Sequence, residues 1–261
     1  MIAAKGALSV SNLGVVFGPA PRVEALADLS FEIEGGGIVC VIGTSGCGKS
    51  TLLRVVAGFL KPTSGAVWLD GAPIRGPGAD RGIVFQHHAL FPWLTVERNV
   101  EYGLKVRGVA KAERQARVDE LLSLVGLSTV AKRYPGVLSG GMQQQVGLAR
   151  VLANDPAVLL MDEPFGALDA ETRLNMQELL LRMHEEQRKT VLFVTHDVEE
   201  AILLGDVVLV LSAAPGRIIK RFSIERERPR DWEFAVSKEF LEIRKEALGL
   251  IRTEGRRLLL A

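Results

Sequence analysis

One octapeptide, Gly43-Thr44-Ser45-Gly46-Cys47-Gly48-Lys49-Ser50, constrains this chain more than any other stretch. It fits the pattern G-x-x-x-x-G-K-[ST] at every fixed position, and that pattern has meaning only where a buried strand hands over to a helix. Both flanks comply. Ile38-Val39-Cys40-Val41-Ile42 reads as a buried parallel strand, and Thr51 through Val56 reads as a helix. Glycines at 43, 46 and 48 let successive N–H groups converge on an anion, and the helix start near Lys49 adds the positive end of its dipole. The expected occupant is the phosphate chain of a nucleoside triphosphate, with Lys49 on the β- and γ-phosphates and the Ser50 hydroxyl on Mg²⁺. The bland alternative, a glycine-rich turn beside a solvated lysine, fits this context poorly.

Bulk properties narrow the partners. At 261 residues, 48% hydrophobic and 24% charged, the chain can bury a full α/β core and one smaller subdomain. A formal net charge of +1 gives no basic field, so nucleic acid is not the expected partner. No run approaches the roughly eighteen apolar residues of a membrane span, and the first residues lack a secretory pattern, so a cytoplasmic location is expected. Cys40 and Cys47 flank the phosphate site, where a disulfide would interfere; both are expected as free thiols.

In chain order, 8–13 and 29–33 alternate like antiparallel strands, with Phe17 on a loop between them, either a base-stacking aromatic or plain core. Strands follow at 66–69 and 82–85, the latter ending in Gln86, which suits contact with metal or water but is equally a boundary glutamine. His87 and His88, adjacent on an extended segment, should point to opposite faces and share no metal. Leu90-Phe91-Pro92-Trp93-Leu94-Thr95-Val96 is either core filling or an exposed docking patch. From about 96 to 156 the pattern turns helical, with Val118, Leu121, Leu122 and Val125 on one face, which marks an inserted helical subdomain. It closes on Leu138-Ser139-Gly140-Gly141-Met142-Gln143, a serine and bare amides at a helix start, and so a second candidate anion site.

The run Ala157–Met161 ends in Asp162-Glu163-Pro164, acids delivered at the end of a core strand: one can hold Mg²⁺ through water, the next can polarise an attacking water. Gly166-Ala167-Leu168-Asp169 turns into a helix over 171–187. The strand 190–194 delivers His196 to the same sheet edge, as a structural histidine or a γ-phosphate sensor. Strands near 206–211 and 217–222 and a helix over 238–251 complete the chain. The fold class is therefore α/β: a P-loop NTPase core with a mixed sheet, an N-terminal antiparallel β subdomain and an inserted α-helical subdomain. Residues 1–220 are expected to form the nucleotide-binding domain and 221–261 a short helical tail.

Taken together, Gly43–Ser50, Gln86, Leu138–Gln143, Leu160–Pro164, Leu168-Asp169 and His196 resemble the nucleotide-binding subunits of ATP-binding cassette transporters over residues 8–220. The resemblance implies ATP and Mg²⁺ as cofactors, with Ser50, Gln86 and Asp162 at the metal. Glu163 is then the catalytic base, assisted by His196, Gln86 and Lys49. It implies that Phe17, Gly43 through Thr51, and Ser139, Gly140, Gly141 and Gln143 bind nucleotide, the last four from the opposite protomer of a homodimer. Phe17 stands where tyrosine is common and Gln145 where many members carry arginine. Ile74–Gly82, Gln86–Trp93 and Asp162–Ala170 are similar to importers of the nitrate, sulfonate and taurine group, with the taurine type nearest. Such a subunit sits on the cytoplasmic face of the inner membrane and docks integral membrane permease subunits near Gln86–Val96. An extracytoplasmic solute-binding protein acts indirectly, and the short tail implies no added regulatory domain. The rival readings are a soluble, non-transport ATPase of the same superfamily acting on nucleic acid or ribosomes, and a monomeric small-molecule kinase, which leaves Leu138–Gln143 unexplained.

Overall fold

In this computed structural model the described residues are 5–260, apart from positions 20, 87, 88, 167, 229 and 231 and the side chains of 258–260. The expectation for His87 and His88, and the Ala167 position of the turn before the 171–187 helix, therefore lie outside the described residues.

Two sheets enclose one helix. β1 (Leu8–Phe17), β2 (Val23–Ile33), β4 (Ser64–Leu69) and β5 (Ala72–Pro73) form an antiparallel sheet in the order β2-β1-β4-β5. The second sheet contains β3 (Ile38–Ile42), β6 (Arg81–Val84), β7 (Val158–Asp162), β8 (Thr190–Val194), β9 (Val207–Leu211) and β10 (Ile218–Ser223). Its order is β10-β9-β3-β8-β7-β6, and all pairs are parallel except β10 with β9. Strands buried on both faces need apolar side chains at nearly every position, which is why 38–42 and 191–194 read as unbroken apolar runs. Alternation then divides the core. Ile38, Cys40 and Ile42 face one cluster, and Val39 and Val41 face the other.

The second of these clusters lies between the sheets and is filled by α1 (Lys49–Val56) through Leu52, Leu53, Val55 and Val56. On the far face lie the helical insertion, α2 (Val96–Val106), α3 (Lys111–Leu124) and α4 (Gly140–Ala153), with two 3-10 turns at Ser128–Val130 and Pro135–Val137. α5 (Ala170–Gln187) and α6 (Val198–Leu204) pack there too, as do α7 (Trp232–Ala235) and α8 (Lys238–Leu260). Val118, Leu121, Leu122 and Val125 are all buried, as their spacing requires.

Two expectations need correction. Phe17 is not on a loop: it is the last residue of β1, paired with Val23. The pairing runs past the break in alternation because register shifts, with Asn12 and Asp28 in the left-handed region, absorb the irregularity. The final helix also does not stop near 251 but continues to Leu260. Its apolar spacing fails beyond Ile251 because that stretch is anchored by a buried carboxylate, Glu254, rather than by an apolar side chain.

Candidate functional site

β3, β8, β7 and β6 are parallel neighbours, so their carboxyl ends open on one edge, and the turns leaving them carry the residues singled out above. After β3, Gly46 and Gly48 hold φ of +80° and +99°, a conformation that only glycine adopts freely. Gly48 is the N-cap of α1 and has no side chain to cap it, so among the described residues its first-turn N–H groups have no capping side chain and lie open to an anion. A Cβ built on Gly46 meets nothing within 4 Å, so the hollow of the loop faces outward. Lys49, only 6% exposed, lines the inner wall, and its ammonium donates to the carbonyls of Gly43 at 2.9 Å and Thr44 at 3.0 Å. Cys47 is buried behind it, with Sγ 4.0 Å from the ammonium. Burial pushes this thiol's pKa up, and Lys49 opposes that. Both cysteines are free and buried.

Ser50 Oγ donates to Asp162 Oδ1 at 3.2 Å across from β7. Burial raises the Asp162 carboxyl pKa, and the Ser50 hydrogen bond acts the other way. Two oxygen donors side by side, next to a phosphate hollow, match what a small hard cation takes from protein. Glu163 follows at φ +45°, a region that costs a non-glycine residue about 1–2 kcal/mol. Its N–H donates to Val194 O at 2.8 Å and its carbonyl accepts from Gly166 N at 3.2 Å, which pins the turn. The strain aims the carboxylate along the sheet edge, where His196 Nδ1 lies 2.9 Å from Glu163 Oε2. A carboxylate oxygen accepts, so in this contact Nδ1 is the donor.

The residues that hold His196 are not among those singled out from the sequence. Thr195 Oγ1 donates to the buried Glu200 at 2.6 Å and accepts from Asp197 N at 3.0 Å. Glu200 also accepts from Gln177 Nε2 at 2.9 Å, and Asp197 lies 3.7 Å from Arg173. Gln177 and Arg173 belong to α5, so the His196 turn is clamped to the helix that begins after Asp169. The available signal was Asp197-x-x-Glu200, which has capping-box spacing. Asp197 does cap α6, accepting from Glu199 N at 2.9 Å and Glu200 N at 3.2 Å, but Glu200 turns inward to Thr195.

Lys49, Ser50, Asp162, Glu163 and His196 thus converge, whereas Phe17, Gln86 and Ser139 stand on separate elements. Phe17 is 41% exposed at the end of β1, and Gln86 is exposed just beyond β6. Ser139 caps α4, accepting from Met142 N at 3.3 Å, with Ser139 and Gly140 exposed. Gly141 is buried against Thr172, and Gln143 spends its amide on the carbonyls of Pro135 at 3.1 Å and Leu138 at 3.2 Å. In the 90–96 stretch Trp93 is 69% exposed and packs on Phe91, which also touches Tyr102. The fully buried Asn99, also missed, shapes this loop: it accepts from Phe91 N at 2.9 Å and donates to the carbonyls of Phe91, Leu94 and Thr95, each at 3.1 Å. Arg150 of α4 donates to Ala89 O at 2.8 Å and lies over the Phe91 ring. The loop is thereby joined to the helix that begins at Ser139.

The chain is similar to known proteins in sequence and in fold. A family model described as ABC transporter matches residues 26–166. An uncharacterized ABC transporter ATP-binding protein of Methanocaldococcus jannaschii is 50% identical over 248 residues, 95% of this chain and 92% of that protein. The taurine import ATP-binding protein TauB of Rhizobium johnstonii is 49% identical, covering 88% of this chain and 90% of its own length. The nitrate import ATP-binding protein NrtD of a Synechocystis species is 46% identical, covering 94% and 95%. Among solved structures, a dimeric post-hydrolysis ATP-binding cassette bound to ADP and Pi superposes with a TM-score of 0.75 at 32% identity, over 84% of this chain and 100% of that one. CbiO1 of Clostridium perfringens, part of an ABC transporter complex, does so with a TM-score of 0.78 at 29% identity, over 97% and 99%. With a phosphate loop, a strand-end acid pair and a capped Ser-Gly-Gly helix in the expected order, the chain belongs to the ABC transporter family and is one of its ATP-binding cassettes.

Proposed function

We propose that this chain is the ATP-hydrolysing subunit of an importer for a small anionic or zwitterionic solute, taurine or an aliphatic sulfonate first and nitrate next. Among the described residues no helix is long and apolar enough to cross a membrane. In this reading the chain acts as a peripheral subunit on the cytoplasmic face of the inner membrane, against integral permease subunits served by an extracytoplasmic solute-binding protein. The observation that carries the ATPase reading is the pair of contacts at one sheet edge: Ser50 on Asp162 at 3.2 Å and His196 on Glu163 at 2.9 Å. The solute assignment is supported by the taurine and nitrate import relatives at 49% and 46% identity.

In this reading the phosphate loop and Lys49 hold the β- and γ-phosphates, Phe17 offers its exposed ring to the adenine, and Glu163 takes the proton of the attacking water. His196, oriented through Nδ1, presents Nε2 to the γ-phosphate. Mg²⁺ at Ser50, Asp162 and Gln86 would neutralise charge developing on the phosphates. Residues 1–220 form the ATPase domain, with the helical subdomain inserted at about 96–156, and 221–261 the tail. Two copies close head to tail, each ATP held by the loop of one and Ser139, Gly140, Gly141 and Gln143 of the other, which gives two equivalent sites. Closure moves the permease through the Gln86–Val96 region, which Arg150 ties to α4 through Ala89 O.

Mixing tests the composite site. Ser139→Arg and Lys49→Ala chains should each be inactive, whereas their mixture regains one intact site per heterodimer and a fraction of the ATPase rate. A mixture that stays dead, or single variants that stay active, contradicts the shared site. Reconstitution with permease and solute-binding protein, comparing ATPase stimulation by taurine and by nitrate, decides the solute.

A further inference from the structure

The tail is docked too firmly to be an appendage. Arg230, 8% exposed, donates to the carbonyls of Ile202, Leu203 and Gly205 at the end of α6, and Phe240 and Ala247 of α8 are buried in the main core. The far end of α8 then reaches the turn beside the phosphate loop through one hydrogen bond and passes close to the loop itself. Glu254, 5% exposed, accepts a hydrogen bond at 2.9 Å from the backbone N–H of Ala213. One residue on, a Cβ built on Gly255 would sit 3.8 Å from Thr44 Cγ2.

Ala213 belongs to the turn after β9 that supports the phosphate loop from beneath. Ser212 closes this turn, donating to Pro215 O at 2.8 Å and accepting from Arg217 N at 2.9 Å. A Cβ on Gly216 would lie 2.2 Å from Cys47 O, and one on Gly43 would lie 3.2 Å from Leu211 O, so turn and loop are in backbone contact. Thr44 Oγ1 is buried without a hydrogen-bond partner, so on its outer side Thr44 is held by packing. Removing the Glu254 carboxylate leaves a buried N–H unpaired at the base of this stack.

We infer that the last turns of α8 brace the phosphate loop through the Leu211–Gly216 turn, making Glu254 a positioning residue for the nucleotide phosphates. This inference rests on the ATP-binding reading above. It also gives the tail a task within the ATP site, where the sequence resemblance implied no regulatory domain.

The test measures ATP affinity by fluorescent-nucleotide displacement, together with KM and kcat, on the full chain. Glu254→Ala should raise the Kd and KM for ATP about tenfold while kcat at saturation stays within about twofold. Glu254→Gln keeps an acceptor for Ala213 N–H and should restore the parent values. Gly255→Ala has room and should bind ATP like the parent, whereas Gly255→Leu presses on Thr44 and should weaken binding, so the claim survives a poorly folding Glu254→Ala. The brace is overturned if Glu254→Ala binds ATP as the parent does, if kcat falls with KM unchanged, or if Glu254→Gln is as impaired as Glu254→Ala. A parent chain that itself neither binds nor hydrolyses ATP would instead overturn the functional reading beneath it.

Discussion

Helices α1 and α4 both begin at glycine-rich turns and both are proposed to hold phosphate, yet they begin differently. α1 starts at a left-handed Gly48 with no side-chain cap among the described residues, so its N-terminal amides are left open. α4 starts at Ser139 in an extended conformation, with the serine oxygen already accepting from Met142 N at 3.3 Å. An open helix end can bind an anion by itself, whereas a self-capped one contributes a hydroxyl proton and its dipole to an anion held elsewhere. The difference implies an order of events: ATP settles first on α1 of one chain, and only then can α4 of a second chain add its contact.

The largest test separates binding from chemistry. If the helix starts bind and the end of β7 reacts, Glu163→Gln should lower the hydrolysis rate by about 10²–10⁴ while ATP affinity holds. It should also leave an ATP-dependent dimer visible by light scattering. Hydrolysis at the parent rate would remove Glu163 as the base.

Next comes the open end itself. At Gly48 a Cβ would sit 2.4 Å from Leu26 Cδ2 and 2.7 Å from Ala25 O at a φ of +99°, so Gly48→Ala must distort the loop. Backbone strain of about 1–2 kcal/mol alone predicts roughly tenfold weaker ATP binding by a single chain, and the clash adds to it. The matching change at the capped end, Ser139→Ala, should leave single-chain affinity within about twofold. It should lower cooperative hydrolysis roughly tenfold and cost α4 about 1 kcal/mol in a melting experiment. If Ser139→Ala weakens single-chain binding and Gly48→Ala does not, the order of events is reversed.

The same contrast explains what was legible in the sequence. The phosphate loop, the acid pair after β7 and the strand before His196 are local patterns: apolar runs with a few fixed residues at their ends, readable because parallel strands buried on both faces leave little choice of side chain. Ser139 was visible as a cap for the same reason. What was hidden is long-range and polar. Asn99 bonding the Phe91–Thr95 backbone, Gln177 meeting Glu200 from another helix, and Glu254 reaching Ala213 across 41 positions leave no period in the sequence. Phe17 was misplaced because left-handed Asn12 and Asp28 interrupt alternation while the strands stay paired. The tail was shortened because hydrophobic spacing ends where Glu254 takes over as anchor.

The smallest test concerns a third helix start at this edge, α6, which Asp197 caps fully and Glu200 supports from below. Burial raises the Glu200 carboxyl pKa above its ordinary 4.5; the Thr195 and Gln177 hydrogen bonds and Arg173 oppose this, and Asp197 adds to it. With the folded-state pKa above the unfolded one, the favourable contribution of this group is complete below the unfolded value. It is lost as pH rises through the folded value, so ionised Glu200 costs stability at neutral pH. Glu200→Gln removes that charge and keeps the network, because Gln177 can turn its amide to offer an oxygen and Thr195 can accept as well as donate. The variant should therefore melt slightly higher than the parent at pH 8, and the gap should close as pH falls toward 4.5. Hydrolysis should stay within about twofold, since His196 keeps its support. A variant less stable than the parent at pH 8 would mean that the negative charge is favourable there, held by Arg173 and the positive end of α6, and that this helix start is completed by charge rather than by capping alone.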